Sequence, residues 1–243
     1  MHVWRASLDV QNAELRRLQS LLSVDELDRA ARFRFVRDRN RFVVGRGLLR
    51  TILADYAKIP AEALRFGYSP YGKPRLLDST EILFNVSHSA DRVLVAVSPD
   101  IPVGVDVEVL DTKLADELVA ERFFSEQEVR DLRSLPPAER PVAFLSCWTR
   151  KEAFIKARGE GLSLPLQDFD VTLIPGVPPT LLRTAWSATE PVEWLLFDLS
   201  EDCPGCAAAL AVRAARVAVS VRAYGSRATG SAPRMFALCA PSA

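Results

Sequence analysis

The sequence predicts an α+β fold built as two halves of similar kind. Three observations carry this. The apolar pattern changes from helical spacing to strand alternation and back more than once; a helical segment with a few strands lies on each side of a turn at Pro99–Pro102; and 243 residues, 49% of them hydrophobic, are ample for one large domain or two compact halves. The halves are expected at residues 1–102 and 103–224. Residues 225–243, rich in Ala, Ser, Gly and Pro, are expected to form a loose tail. No internal repeat is evident.

Taken in order, Val3–Leu8 alternates as a first strand and Glu14–Leu22 has a helical pattern. Ser23 with Glu26 three residues later reads as a capping box that opens a helix or helix pair over Leu27–Lys58. That segment is dense in arginine, most of it a solvated face. Residues 40–50 are the exception, largely apolar and carrying two glycines that permit close packing, so Arg41 at their mouth is a candidate anion ligand. The loop Phe66–Pro74 has two glycines and two prolines and is expected to be rigid, with Lys73, one of only five lysines, as a phosphate partner.

The strand Ile82–Val86 leads into Ser87, His88 and Ser89, and with Asn85 these place four hydrogen-bonding side chains at or near its end. Val93–Val97 is a second strand and Val103–Val109 a third. The third is apolar except at Asp106 and Glu108, whose side chains share one face because strand side chains alternate, roughly 7 Å apart. Two like charges on a valine strand cost stability unless a cation or a basic ligand lies between them.

Beyond this strand, Leu114–Leu132 is expected to be helical and to end by Pro136-Pro137. A helix starting near Pro141 runs to Gly159 and carries Glu152 and Lys156 four apart on one face. Such a pair is often only an exposed brace. Leu162–Val171 and Thr180–Phe197 alternate like strands. Cys203-Pro204-Gly205-Cys206 reads as a hairpin turn rather than a metal or redox site, because no second cysteine pair or nearby histidine completes it.

A formal net charge of zero gives no field that favours nucleic acid or an anionic membrane surface. No apolar run approaches the ~20 residues that span a bilayer. A cytoplasmic protein, monomeric and without nucleic-acid or membrane partners, is expected.

Three motifs, Phe84-Asn-Val-Ser-His88-Ser, Gly104-Val-Asp106-Val-Glu108 and Trp148-Thr-Arg-Lys151-Glu152-Ala-Phe-Ile-Lys156, with Tyr71-Gly-Lys73-Pro74 upstream, resemble in order and spacing those of the surfactin-synthetase-activating class of 4′-phosphopantetheinyl transferases. The resemblance covers about residues 1–212 and implies two pseudo-twofold-related α/β halves with coenzyme A in the cleft between them. The implied reaction moves the phosphopantetheine arm of coenzyme A onto a serine of an apo acyl or peptidyl carrier protein and releases adenosine 3′,5′-bisphosphate. By that similarity Asp106, Glu108 and Glu152 hold Mg²⁺, for which Mn²⁺ could substitute. Glu152 and Lys156 act in catalysis, and Arg41, Lys73, Ser87, His88, Arg29 and Lys151 bind coenzyme A. Glu26 stands where some relatives carry a lysine. Fatty-acid, polyketide and non-ribosomal peptide carriers all remain open. A metal-dependent pyrophosphohydrolase and a silent coenzyme A-binding protein are the alternative readings.

Overall fold

A computed structural model describes residues 1–110, 117–225 and 234–239. In chain order the elements are β1 (His2–Ser7), α1 (Asn12–Gln19), α2 (Val24–Ala31), α3 (Val36–Ala57), β2 (Phe66–Tyr68), β3 (Pro74–Leu76), β4 (Ile82–Ser89), β5 (Arg92–Pro99) and β6 (Val103–Val109). They continue as α4 (Glu117–Phe123), α5 (Glu126–Ser134), α6 (Arg140–Arg158), β7 (Phe169–Val171), β8 (Leu181–Thr184), β9 (Trp194–Asp198), β10 (Cys206–Arg213), β11 (Arg216–Ala223) and β12 (Arg234–Cys239).

Two sheets organise the molecule, one in the order β12-β11-β1-β5-β4 and the other β6-β10-β9. Alternation along the strands decides what each face covers. In β5, Val93, Val95 and Val97 pack with Val44, Leu48, Leu49 and Leu53 of α3, while Leu94 and Ala96 turn to the opposite face. There they meet Val103, Val105 and Val107 of β6 and Ala208, Leu210 and Val212 of β10 in a shared core. The other face of β10, with Ala207, Ala209 and Ala211, packs with Phe144, Cys147, Phe154 and Ile155 of α6. The layers therefore run α3, first sheet, shared core, second sheet, α6, with one long helix to each half.

The halves also exchange chain. β11 pairs in parallel with β1, and β12 pairs antiparallel with β11, so the chain beyond residue 213 returns to the first sheet. Arg234–Cys239 is thus a strand, where a loose tail was expected.

The Ser23–Glu26 capping box opens α2, and α6 begins at Arg140 with proline in its first turn and ends at Gly159 in the left-handed region. Two expectations need correction. The helix expected over Leu114–Leu132, of which 114–116 lie outside the described residues, is broken at Phe124–Ser125: Ser125 caps a new helix, accepting from Glu128 N–H at 3.2 Å while Glu128 accepts from Ser125 N–H at 2.9 Å. Of the strands expected over 162–171 and 180–197, only the short β7, β8 and β9 form. Short 3₁₀ turns at Gly161–Ser163, Leu166–Asp168 and Glu190–Glu193 interrupt them, where Pro165 and Pro191 lack the ladder donor and Gly161 has φ +62°. The Cys203–Cys206 turn does join β9 to β10, closed by Cys206 N–H donating to Cys203 O at 2.9 Å. Among the described residues no helix is long and apolar enough to cross a membrane.

Candidate active site

β4 and β6 are the edge strands of their sheets and lie side by side without a backbone ladder. Side chains replace it. The Asn85 carboxamide accepts from Val105 N–H at 2.8 Å, Ser87 Oγ donates to Asp106 at 2.7 Å, and Ser89 Oγ donates to Glu108 at 2.7 Å while accepting from Val109 N–H at 3.2 Å. The period-two spacing of Asn85, Ser87 and Ser89 matches that of Asp106 and Glu108, so each carboxylate on β6 meets a hydroxyl on β4. An unpaired sheet edge normally exposes donors and acceptors; here that edge orients two acids.

α6 crosses β6 at Gly104. A Cβ there would lie 2.0 Å from Ala153 O and 2.3 Å from Ala157 N. Only glycine admits the helix so close, and the approach brings the side chains at 152 and 156 to the seam. Lys156 Nζ donates to Asp106 Oδ1 at 2.6 Å and to Ser87 Oγ at 3.0 Å. The lysine thus reaches across to the strand rather than simply bracing Glu152 along its own helix.

Asp106 is 3% exposed and, among the described residues, its Oδ2 has no hydrogen-bond partner. Burial pushes its carboxyl above the ordinary aspartate range, against the opposing pull of Lys156 and Ser87. Burial likewise raises Glu108, with Asp106 adding to the shift against Ser89. Glu152 is raised by burial first and then by the Asp106 and Glu108 charges, with Lys156 opposing. Three neighbouring acids are thus held where ionisation is unfavourable, a setting in which positive charge is stabilising, and the Lys156 ammonium supplies one such charge at Asp106.

Among the described residues no group of three or more His, Cys, Asp or Glu side chains is arranged so as to hold a metal ion. Mg²⁺ does not require one. It takes one or two carboxylates, completes its shell with water and substrate phosphates, and prefers oxygen donors throughout, as this set provides. The orphaned Asp106 Oδ2 and the all-carboxylate donor set fit that ion.

The remaining expected ligands are dispersed. His88 is exposed beside the β4–β5 turn. Arg41, on α3, makes a two-pronged pair with Asp9, at 2.8 Å and 2.6 Å. Arg29 is exposed, its guanidinium over the Phe42 ring. Lys73 is turned inward, its ammonium on the carbonyls of Val103, Lys156 and Ala157. Lys151 is fully buried, paired with Glu128 at 2.7 Å and donating to Leu166 O and Phe169 O. It lies on the core side of α6, so the structure does not bring it to the coenzyme A site expected for it. Glu26 is also internal, paired with Arg46 and Arg50. Sequence reasoning missed the Glu128–Lys151 pair because neither residue carries a sequence sign of its burial.

Two α/β halves thus meet at a seam where Asp106 and Glu108 of β6 face Glu152 and Lys156 of α6, with the Lys156 ammonium on Asp106. Most of the chain matches a single family. Residues 102–212 match the 4′-phosphopantetheinyl transferase superfamily, and residues 4–100 match the N-terminal region of 4′-phosphopantetheinyl transferases. The 4′-phosphopantetheinyl transferase HetI of a Nostoc species is 40% identical over 215 residues, 87% of each chain. The enzymes psf-1 of Bacillus pumilus and Sfp of Bacillus subtilis are 39% and 36% identical, covering 68% and 66% of this chain and 71% and 70% of theirs. The holo-[acyl-carrier-protein] synthase structure from Thermotoga maritima aligns with a TM-score of 0.35 and 27% identity over 49% of this chain and 66% of that one. The chain belongs to the 4′-phosphopantetheinyl transferase family, in its Sfp-like branch, and is an enzyme.

Proposed function

We propose that this enzyme transfers the 4′-phosphopantetheine arm of coenzyme A to a serine hydroxyl of an apo acyl or peptidyl carrier protein, using Mg²⁺ at the β4–β6 seam. The observation that carries the reading is the convergence of Asp106, with its unpartnered buried oxygen, and the Glu152–Lys156 face of α6 across Gly104. Asp106, Glu108 and Glu152 would hold the ion, which when bound neutralises charge on the coenzyme A pyrophosphate.

The chain's own groups supply the rest. Glu152, its pKa raised by burial and by neighbouring acids, is suited to accept the serine proton. The serine oxygen then forms a bond to the phosphorus bearing pantetheine, the pyrophosphate P–O bond breaks, and adenosine 3′,5′-bisphosphate leaves with the bond's electron pair. Lys156, 28% exposed and bonded to Asp106 at the seam, would donate to the phosphate oxygens as that charge develops. His88 and Arg41, on the first half, remain the residues proposed for coenzyme A's outer phosphate. Arg41 would exchange its Asp9 partner for it.

Intact-mass spectrometry of an apo carrier incubated with coenzyme A, Mg²⁺ and this enzyme tests the proposal. One phosphopantetheine of added mass, dependent on all components, is the expected result. Cleavage of coenzyme A without carrier would establish a pyrophosphohydrolase instead, and no consumption of coenzyme A would leave only a binding protein.

A further inference from the structure

Lys73 belongs to the first half, in the loop between β2 and β3, but its side chain ends in the second. Its Nζ donates to Val103 O at 3.0 Å, to Lys156 O at 2.5 Å and to Ala157 O at 3.3 Å. An ammonium has three N–H groups, and all three are taken. Lys156 O and Ala157 O lie in the last turn of α6, where helix carbonyls have no partner of their own and a positive charge complements the helix dipole. Val103 O is at the start of β6. One ammonium therefore ties the helix that carries Glu152 and Lys156 to the strand that carries Asp106 and Glu108.

The loop is built to hold that position. Ser69 N–H donates to Lys73 O at 2.9 Å, Gly72 N–H donates to Ser69 O at 2.9 Å, and Ser69 Oγ accepts from Lys73 N–H at 3.1 Å and Tyr71 N–H at 3.2 Å. It also rests on the exit of α6: a Cβ at Gly159 would meet Lys73 Cδ at 3.6 Å, and one at Gly161 would meet Tyr71 Cβ at 3.4 Å. Burial lowers the Lys73 pKa to about 8, and the three carbonyl acceptors offset that cost of holding a charge away from water.

We infer that Lys73 is a positioning residue for phosphopantetheinyl transfer, a latch from the first half that sets the spacing between Lys156 and Asp106, and that it is not a ligand of coenzyme A's 3′-phosphate. The kinetic consequence rests on the proposed transfer reaction; the structural one does not.

The test compares Lys73→Met with wild type on coenzyme A and on dephospho-coenzyme A, which lacks the 3′-phosphate. A misplaced Lys156 lowers kcat by about 10-fold or more on both substrates alike, with KM within about 3-fold. Hydrogen exchange at the backbone amides of residues 155–163 should also be faster in the variant. Should Lys73→Met fail to fold, Lys73→Arg keeps a cation with several donors and should show the same two-substrate pattern at smaller amplitude. A KM increase seen with coenzyme A and absent with dephospho-coenzyme A would overturn the inference in favour of a phosphate ligand. Unchanged kcat with a lower melting temperature would reduce Lys73 to a stability role and also overturn it. Wild-type carrier loading, run in parallel, reports on the transfer reaction by itself, and with no loading at all the exchange comparison alone decides whether the latch exists.

Discussion

Gly104→Ala should separate the fold of this enzyme from its chemistry by the smallest possible change. The added methyl would sit 2.0 Å from Ala153 O, 2.3 Å from Ala157 N and 2.9 Å from Lys156 C, all main-chain atoms of α6. No rotamer can relieve these contacts. To reach ordinary contact near 3.4 Å, the strand and helix must separate by about 1.4 Å at this crossing. Overpacking of this kind costs about 1–3 kcal/mol, which for a chain of this size corresponds to a fall in Tm of about 2–12 °C. The catalytic effect should be larger. A displacement near 1 Å can remove about 100-fold from a positioned reaction, and here it pulls Lys156 from its 2.6 Å contact with Asp106. Melting curves together with steady-state carrier loading, measured at a temperature where the variant remains folded, provide the assay. A variant that keeps wild-type kcat and melts within about 1 °C of wild type would refute the claim that the close crossing assembles the site.

Three further outcomes follow from the same geometry. Asp106→Asn removes a carboxylate that burial raises and whose charge raises Glu108 and Glu152, so without metal it should melt within about 3 °C of wild type or above it, while losing carrier loading and most of the stabilisation that Mg²⁺ with coenzyme A gives. A variant that is clearly destabilised yet still stabilised in full by both ligands would contradict this. The folded-state pKa values of Asp106, Glu108 and Glu152 are raised, so the stability they contribute is complete below their unfolded values and is lost as pH rises through the folded ones. Metal-free wild type should therefore lose stability from the carboxylate range toward neutral pH more steeply than Asp106→Asn, as read from melting temperature against pH; parallel profiles would contradict the assignment. Lys151→Met strands Glu128 in the core and should cost about 3–5 kcal/mol, with KM for coenzyme A changed by less than about 3-fold where the variant is folded. A large KM change without loss of stability would return Lys151 to the binding site.

How much could be read from the sequence depends on whether a residue's role is local. The alternation that placed Asp106 and Glu108 on one face needs only the strand's period, and the same period explains why Asn85, Ser87 and Ser89 face them. Capping signals placed the start of α2 and the end of α6 for similarly local reasons. Lys151 and Lys156 show where this stops. They lie on one helix five residues apart, with the same charge, yet one ammonium is sealed against Glu128 and the other reaches Asp106 at the seam. The helix's rotation against β6 decides that, and it is set by Gly104 and the core rather than by residues near either lysine. Lys73 is the same case over a longer distance: a rigid loop was legible, but the carbonyls that receive its side chain are 30 to 84 residues away in sequence. The return of β11 and β12 to the first sheet was hidden because parallel pairing with β1 leaves no short-range sign.

The most direct measurement of the central claim is carrier loading by Glu152→Gln beside wild type at saturating Mg²⁺ and coenzyme A. The change keeps the side chain's shape and removes the charge that would bind the ion and accept the serine proton. Because the Lys156 ammonium is bonded to Asp106 and Ser87, the fold should tolerate it. The account predicts a kcat at least about 100-fold lower, with the melting temperature of the ligand-free protein preserved or raised. Near-normal loading by this variant would contradict it, leaving Glu152 as a helix-surface acid and the seam without its base.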